Sequence, residues 1–126
     1  MTNKENSLNW FEISVSDINK AKTFYETVFG IKMDQMEMMG AQMAFFPMDE
    51  GSGKASGALV QSLMHQPSAN GAIIYLNANP DLSDALSKIE AAGGKITQPK
   101  TQIGEFGYMA FFMDTEGNNV ALHSNN

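Results

Sequence analysis

At 126 residues the chain is one domain's worth and can bury a core, and a composition 43% hydrophobic and 17% charged is that of a globular rather than a disordered protein. Fourteen acids against eight bases give a net charge of −6, and all eight bases are lysines; this acidity argues against nucleic acid as a partner, and without arginine there is no planar two-pronged clamp for carboxylates or phosphates. There is no cysteine, hence no disulfide or thiolate chemistry, no run reaches the ~18 apolar residues of a membrane span, and the first ten residues lack the apolar stretch of a secretory signal, so a cytoplasmic protein with no membrane partner is expected.

In chain order, Trp10 to Val15 form a strand with Phe11, Ile13 and Val15 on one face. Ser16 or Asp17 caps the helix that follows. Its stripe is Ala21, Phe24, Tyr25 and Val28, at i, i+3, i+4 and i+7, and Gly30 stands at the C-cap. Then come strand-like stretches: "IKMDQMEMM", a turn at Gly40, "AQMAFFPM", the loop "DEGSGKASG" and "ALVQSLM". The glycines of "EGSGKASG" lack the spacing and the following helix of a phosphate loop, so this is a mobile loop, placed at a cavity mouth.

The linker "HQPSANG" opens the second half. Ile74, Leu76 and Ala78 share one face of a strand, Asp81 is the expected N-cap, and a helix carries Leu82, Ala85, Leu86 and Ile89 before Gly93 and Gly94. "KITQP", the loop "KTQIGEF", "GYMAFFMD", the turn "TEGN" and "NVALHS" complete it. Ala21, Tyr25, Val28 and Gly30 match Ala85, Ile89, Ala92 and Gly94 at a constant offset of 64, and the preceding strands match at 63. The chain is therefore an internal repeat: two β-α-β-β-β modules, residues 8–64 and 72–124, joined by linker 65–71. Each is too small to be comfortable alone. The expected fold is α+β: a curved mixed sheet or half-barrel around a central cavity, helices outside.

"FEISVSDINKAKTFYETVFG", "IEAAGGKI" and "GYMAFFMDTEGNNVALHS", in this order and on this repeat, resemble the vicinal oxygen chelate superfamily, which includes glyoxalase I, extradiol dioxygenases and bleomycin- and fosfomycin-resistance proteins. The resemblance covers almost the whole chain. It implies one divalent metal held by His, Gln or Glu from strands of both modules. The corresponding positions here are Trp10, Ile73, Ala121 and a residue near Ala58 or Leu59. None of these side chains binds a divalent cation, and a usable site needs at least three donors. The expectation is a cavity without metal or other cofactor. Glyoxalase I chemistry is disfavoured twice, since no arginine is present for the glutathione carboxylates. The resemblance also implies a homodimer, in some members with a cavity shared between chains.

Strand alternation gives the cavity's lining. Trp10, Glu12 and Ser14 face it from the first strand, Tyr75 and Asn77 from its counterpart, and His123 shares a face with Ala121. Either Tyr108, Ala110 and Phe112 or Met109, Phe111 and Met113 join them; Tyr108 and Phe112 are the pocket candidates carried forward. Glu12 is costly to bury unless paired or protonated, and a carboxyl with a raised pKa would suit a general base. His123 could pair with it or orient a ligand. His65, in the linker, is expected to be solvated. Trp10 offers a stacking surface. "MDQMEMMGAQMAFFPM" holds six of the ten methionines, read as filling of a sheet core or dimer face in preference to an adaptable binding surface.

Three functions compete. The first is a protein binding a small apolar or planar molecule in a metal-free cavity. The second is a glyoxalase-like lyase or isomerase using Glu12, His123 or an unconventional metal site. The third is a partner-binding module with a vestigial pocket.

Overall fold

The structure, a computed structural model, describes residues 1–126. Module one contains β1 (Trp10–Ser14), α1 (Ile18–Phe29), β2 (Asp34–Met38), β3 (Ala41–Phe45) and β4 (Ser56–Gln61). Module two contains β5 (Tyr75–Asn77), α2 (Ser83–Leu86), β6 (Lys95–Gln102), β7 (Tyr108–Met113) and β8 (Asn119–Ser124), with a 3₁₀ turn at Gly104–Phe106. Each module forms its own four-stranded mixed sheet, ordered β1-β4-β3-β2 and β5-β8-β7-β6. The first strand of each lies parallel to the last and the others pair antiparallel. This is the α+β pair of βαβββ modules that the repeat calls for. Neither sheet closes. No helix is long and apolar enough to cross a membrane.

α1 starts and stops where its local chemistry directs. The Asp17 carboxylate accepts the free N–H groups of Asn19 and Lys20, each at 3.1 Å. Gly30 ends the helix in the left-handed conformation, φ 63°. Ala21, Phe24, Tyr25 and Val28 are buried on one stripe. They pack with Ile13, Val15, Ala44, Phe46 and Leu59 into a core continuous with Leu76, Ala110, Phe112, Val120 and Leu122 of module two.

The second helix is shorter than its stripe suggests. α2 proper ends at Leu86, and tighter turns run on to Gly94 through bonds such as Lys88 N–H to Ala85 O and Ile89 N–H to Leu86 O. Ser87 explains the tightening: its hydroxyl donates to the Asp84 carbonyl at 2.7 Å and competes with the helical ladder. Leu82, Ala85 and Ile89 are buried all the same. The N-cap is Leu82, without a side-chain cap bond, rather than the expected Asp81; Asp81, one residue earlier, accepts the Ser83 N–H at 2.9 Å and pairs with Lys100 at 2.9 Å.

The "DTEGN" turn joins the modules. Asp114 is buried; its Oδ1 accepts the Glu116 and Asn118 N–H groups, each at 2.9 Å. Its Oδ2 accepts the Tyr25 hydroxyl at 2.8 Å and the Asn118 amide at 3.0 Å. Asn118 also donates to Ser14 O at 2.7 Å, and Glu116 Oε1 accepts the Ser16 and Asp17 N–H groups, each at 2.8 Å. Phe24 lies 5.9 Å from Phe112, ring centre to ring centre. A turn of module two thus fixes both the end of β1 and the helix it leads into.

Candidate functional site

α1 and the segment from Leu82 to Ile89 cover one face of their sheets, leaving the other face of each open. Cross-strand register assigns the residues. Glu12 lies beside Ala58, which faces Phe45, and Phe45 faces Asp34; Ser14, Val60, Met43 and Met36 form the next row. In module two Tyr75, Ala121 and Phe111 form one row and Asn77, His123 and Met109 another. The sequence left open which face of β7 points this way. The structure selects Met109, Phe111 and Met113.

Phe112, a pocket candidate, is fully buried on the opposite face against Phe24 and Tyr25. Alternation along β7 puts Tyr108 on that face too, where it packs on the core beneath the Lys100 ammonium, 4.6 Å from its ring centre. Neither lines the open side.

The principal hollow there measures about 660 Å³ and belongs to module one. Trp10, Met36, Met38, Phe45, Phe46, Pro47 and Met48 line it, with Lys32, Asp34 and Glu50 as its polar members. The Trp10 and Phe45 rings stand 5.9 Å apart, tilted by 54°, and Trp10 remains 37% exposed. Of the core-or-dimer-face reading of the methionines, the core part holds only for Met33 and Met43, which are buried; Met36, Met38, Met39 and Met48 are exposed. Met48 and Glu50, from the β3–β4 connection, reach the hollow, so part of the glycine-rich loop region borders it. Another hollow of about 650 Å³ lies under the N-terminal segment, with Met1 its one apolar member.

A smaller crevice of about 150 Å³ marks the seam between modules. Glu12 and Ser14 line it from β1, Gln66, Ser68 and Asn70 from the linker, and Asn118 and Asn119 from the turn into β8. Glu12 is exposed rather than buried, so the burial expected to favour a general base is absent; it meets the hollow through Trp10, whose indole N–H donates to Glu12 Oε2 at 3.2 Å.

The other candidates are placed as follows. His123 Nε2 lies 2.7 Å from Phe106 O and donates to it. No hydrogen bond joins His123 to Glu12. Tyr75 is 52% exposed and meets Phe111 edge-on at 6.0 Å. Asn77 Oδ1 is occupied by the Asn79 N–H at 2.9 Å. His65 is exposed in the linker. Sequence reasoning missed Asn119 and the three linker residues of the crevice; the Pro-Ser-Asn-Gly composition of that stretch signals only a loop.

The donor set does not fit the family's divalent metal. Trp10, Ile73, Ala58 and Ala121 offer no side-chain ligand atom; Leu59 is buried in the core. Nowhere do three or more His, Asp or Glu side chains converge.

Comparison with known proteins places these observations. The sequence profile of the Glyoxalase/Bleomycin resistance protein/Dioxygenase superfamily matches residues 7–122. CFP32 of Mycobacterium tuberculosis, provisionally named a glyoxylase, is 27% identical over 121 residues, 94% of this chain and 46% of its own. The chain thus spans about half the length of the curated relatives it matches. A glyoxalase/bleomycin resistance protein from Albidiferax ferrireducens superposes with a TM-score of 0.72 at 19% identity, covering 96% of this chain and all of that one. A glyoxalase I mutant from Zea mays gives 0.70 at 19% identity, over 93% of this chain and 45% of that one. At these identities the superpositions speak for the fold alone.

Proposed function

Because the chain belongs to the Glyoxalase/Bleomycin resistance protein/Dioxygenase superfamily, we propose that it uses the family's concave face to bind a small apolar or planar molecule without a metal. The observation that carries this reading is the hollow beside Trp10, where an indole, Phe45 and the thioethers of Met36, Met38 and Met48 meet. Unbranched methionines reshape around irregular ligands, and an aromatic pair supplies a flat wall. Exposed apolar side chains on both open faces, Met36, Met38, Ile73 and Tyr75, support pairing of two copies, and a homodimer belongs to the same proposal. A screen of neutral planar aromatics by thermal shift tests the binding. A saturable rise in Tm, lost in Trp10→Ala, is expected; no rise with any compound, or an unchanged response in the variant, overturns it. Sedimentation tests the dimer.

A second reading is a glyoxalase-like lyase or isomerase. It is favoured by His123 Nδ1, free of a protein donor while Nε2 is anchored on Phe106 O, and by the open carboxylate of Glu12. Turnover lost in Glu12→Gln and His123→Gln with ligand affinity retained would establish this enzyme.

A further inference from the structure

The linker between the modules carries the chain's one Asn-Gly pair, Asn70-Gly71. The backbone nitrogen after an asparagine can attack its side-chain carboxamide, and glycine, with no Cβ, hinders that approach least. A fold suppresses the attack by holding either group still. Here neither is held. Asn70 is exposed at a bend outside any helix or strand. Its hydrogen bonds are made by its main chain alone: the N–H donates to the Ser68 hydroxyl at 3.0 Å, and the carbonyl accepts from the same hydroxyl at 2.9 Å. Gly71 is exposed, sits at φ 115°, and its N–H enters no backbone hydrogen bond. Nothing lies within 4 Å of where its Cβ would stand. Ser68 thus braces Asn70 while the carboxamide and the next N–H remain in solvent.

Other asparagines are restrained. The Asn118 side chain is bonded at both ends, to Ser68 N–H and to Ser14 O. Asn77 Oδ1 accepts the Asn79 N–H. Asn79 precedes Pro80, which has no N–H to attack with.

We propose that Asn70 is a site of spontaneous deamidation, a covalent modification that ages the chain at the linker between its modules. The Gly71 N–H gives its proton to hydroxide, and the nitrogen bonds to Asn70 Cγ. The bond from Cγ to the side-chain nitrogen breaks, and that nitrogen leaves as ammonia. A five-membered succinimide remains. Water adds to one of its two carbonyls and breaks a ring C–N bond, giving aspartate or isoaspartate. Water is the only co-reactant, and nothing is oxidised or reduced. The product adds a negative charge to a chain already at −6. Isoaspartate also lengthens the main chain by an atom, two residues from the Ser68 bond that ties the linker to Asn118.

The test incubates the full chain at physiological temperature, at mildly acidic and mildly alkaline pH, beside the free peptide of residues 66–73. Peptide mapping by mass spectrometry is expected to show a gain of one dalton at Asn70, faster at alkaline pH and at a rate close to that of the peptide. It should precede any change at the other asparagines. Asn70→Gln, which would have to close a six-membered ring, should melt as wild type and lose the early acidic band in isoelectric focusing. An Asn70 that stays intact while the peptide converts, or that converts only when urea unfolds the chain, overturns the proposal, because the fold would then be protecting the pair. An acidic band that survives in Asn70→Gln overturns it as well.

Discussion

Trp10 donates its indole N–H to Glu12 Oε2 across 3.2 Å on the open face of β1. Side chains two apart on a strand share a face, so the first strand itself brings an aromatic wall and a carboxylate together. Trp10 is the chain's one tryptophan, which makes the pair visible by fluorescence. Glu12→Ala should leave the indole N–H to water and red-shift its emission, while Glu12→Gln keeps an acceptor in place and should not. The bond is exposed, so the stability change should stay below about 1 kcal/mol. Identical spectra for all three proteins would mean that the bond does not form.

The buried Tyr25–Asp114 bond makes a larger claim. Burial, and then the charge of Asp114, push the Tyr25 phenol well above its ordinary pKa, so the hydroxyl stays protonated and donates across the physiological range. Tyr25→Phe removes that donor and leaves Asp114 Oδ2 with Asn118 alone. A loss of about 1–3 kcal/mol is expected, read as a lower urea midpoint at unchanged slope. Asp114→Ala should cost more, because it also strips the Glu116 and Asn118 N–H groups of their acceptor.

Asp81 supplies the pH dependence. The Ser83 backbone N–H, then the Lys100 hydrogen bond, hold its carboxyl below the usual value of 3.8, at about 2. A depressed carboxyl stabilises the fold fully above its unfolded value and loses that contribution as pH falls toward the folded one. The Tm difference between wild type and Asp81→Asn should therefore be present at pH 6 and fade between roughly pH 4 and pH 2. A difference that persists undiminished at the acid end would contradict this assignment.

Gly94 faces a close approach. A Cβ there would sit 2.8 Å from both Met113 O and Phe24 Cε1. Since Met113 O belongs to the backbone, the clash cannot be relieved by a rotamer change. Gly94→Ala should destabilise by about 1–3 kcal/mol, measured by thermal melting; a neutral effect would show the helix end shifting freely.

Metal content is a further check. Protein purified without chelator should hold zinc, nickel, iron and manganese only at substoichiometric levels by elemental analysis, because Trp10, Ala58, Ile73 and Ala121 bring no ligand atoms. One metal per chain would require a different donor set.

Much of the fold could be read from local pattern. Asp17 and Gly30 bounded α1, the Ala21–Val28 stripe identified its buried face, and alternation put Trp10, Glu12 and Ser14 on one side of β1. These features depend on geometry within a few residues, which is why composition and spacing reveal them. The offset of 64 between Tyr25 and Ile89 likewise announced two similar modules.

What sequence determined by itself was therefore the repeat, the caps of α1 and the two faces of each strand, because helix and strand periods are local properties. Which face a helix would cover was decided only in three dimensions. Period-two alternation makes Phe111 and Phe112 equivalent until α1 arrives and buries Phe112 against Phe24. The same holds at the seam: Asn119 Oδ1 became an orphan acceptor only when the linker and both modules closed around it, since burial of a polar atom depends on residues distant in sequence.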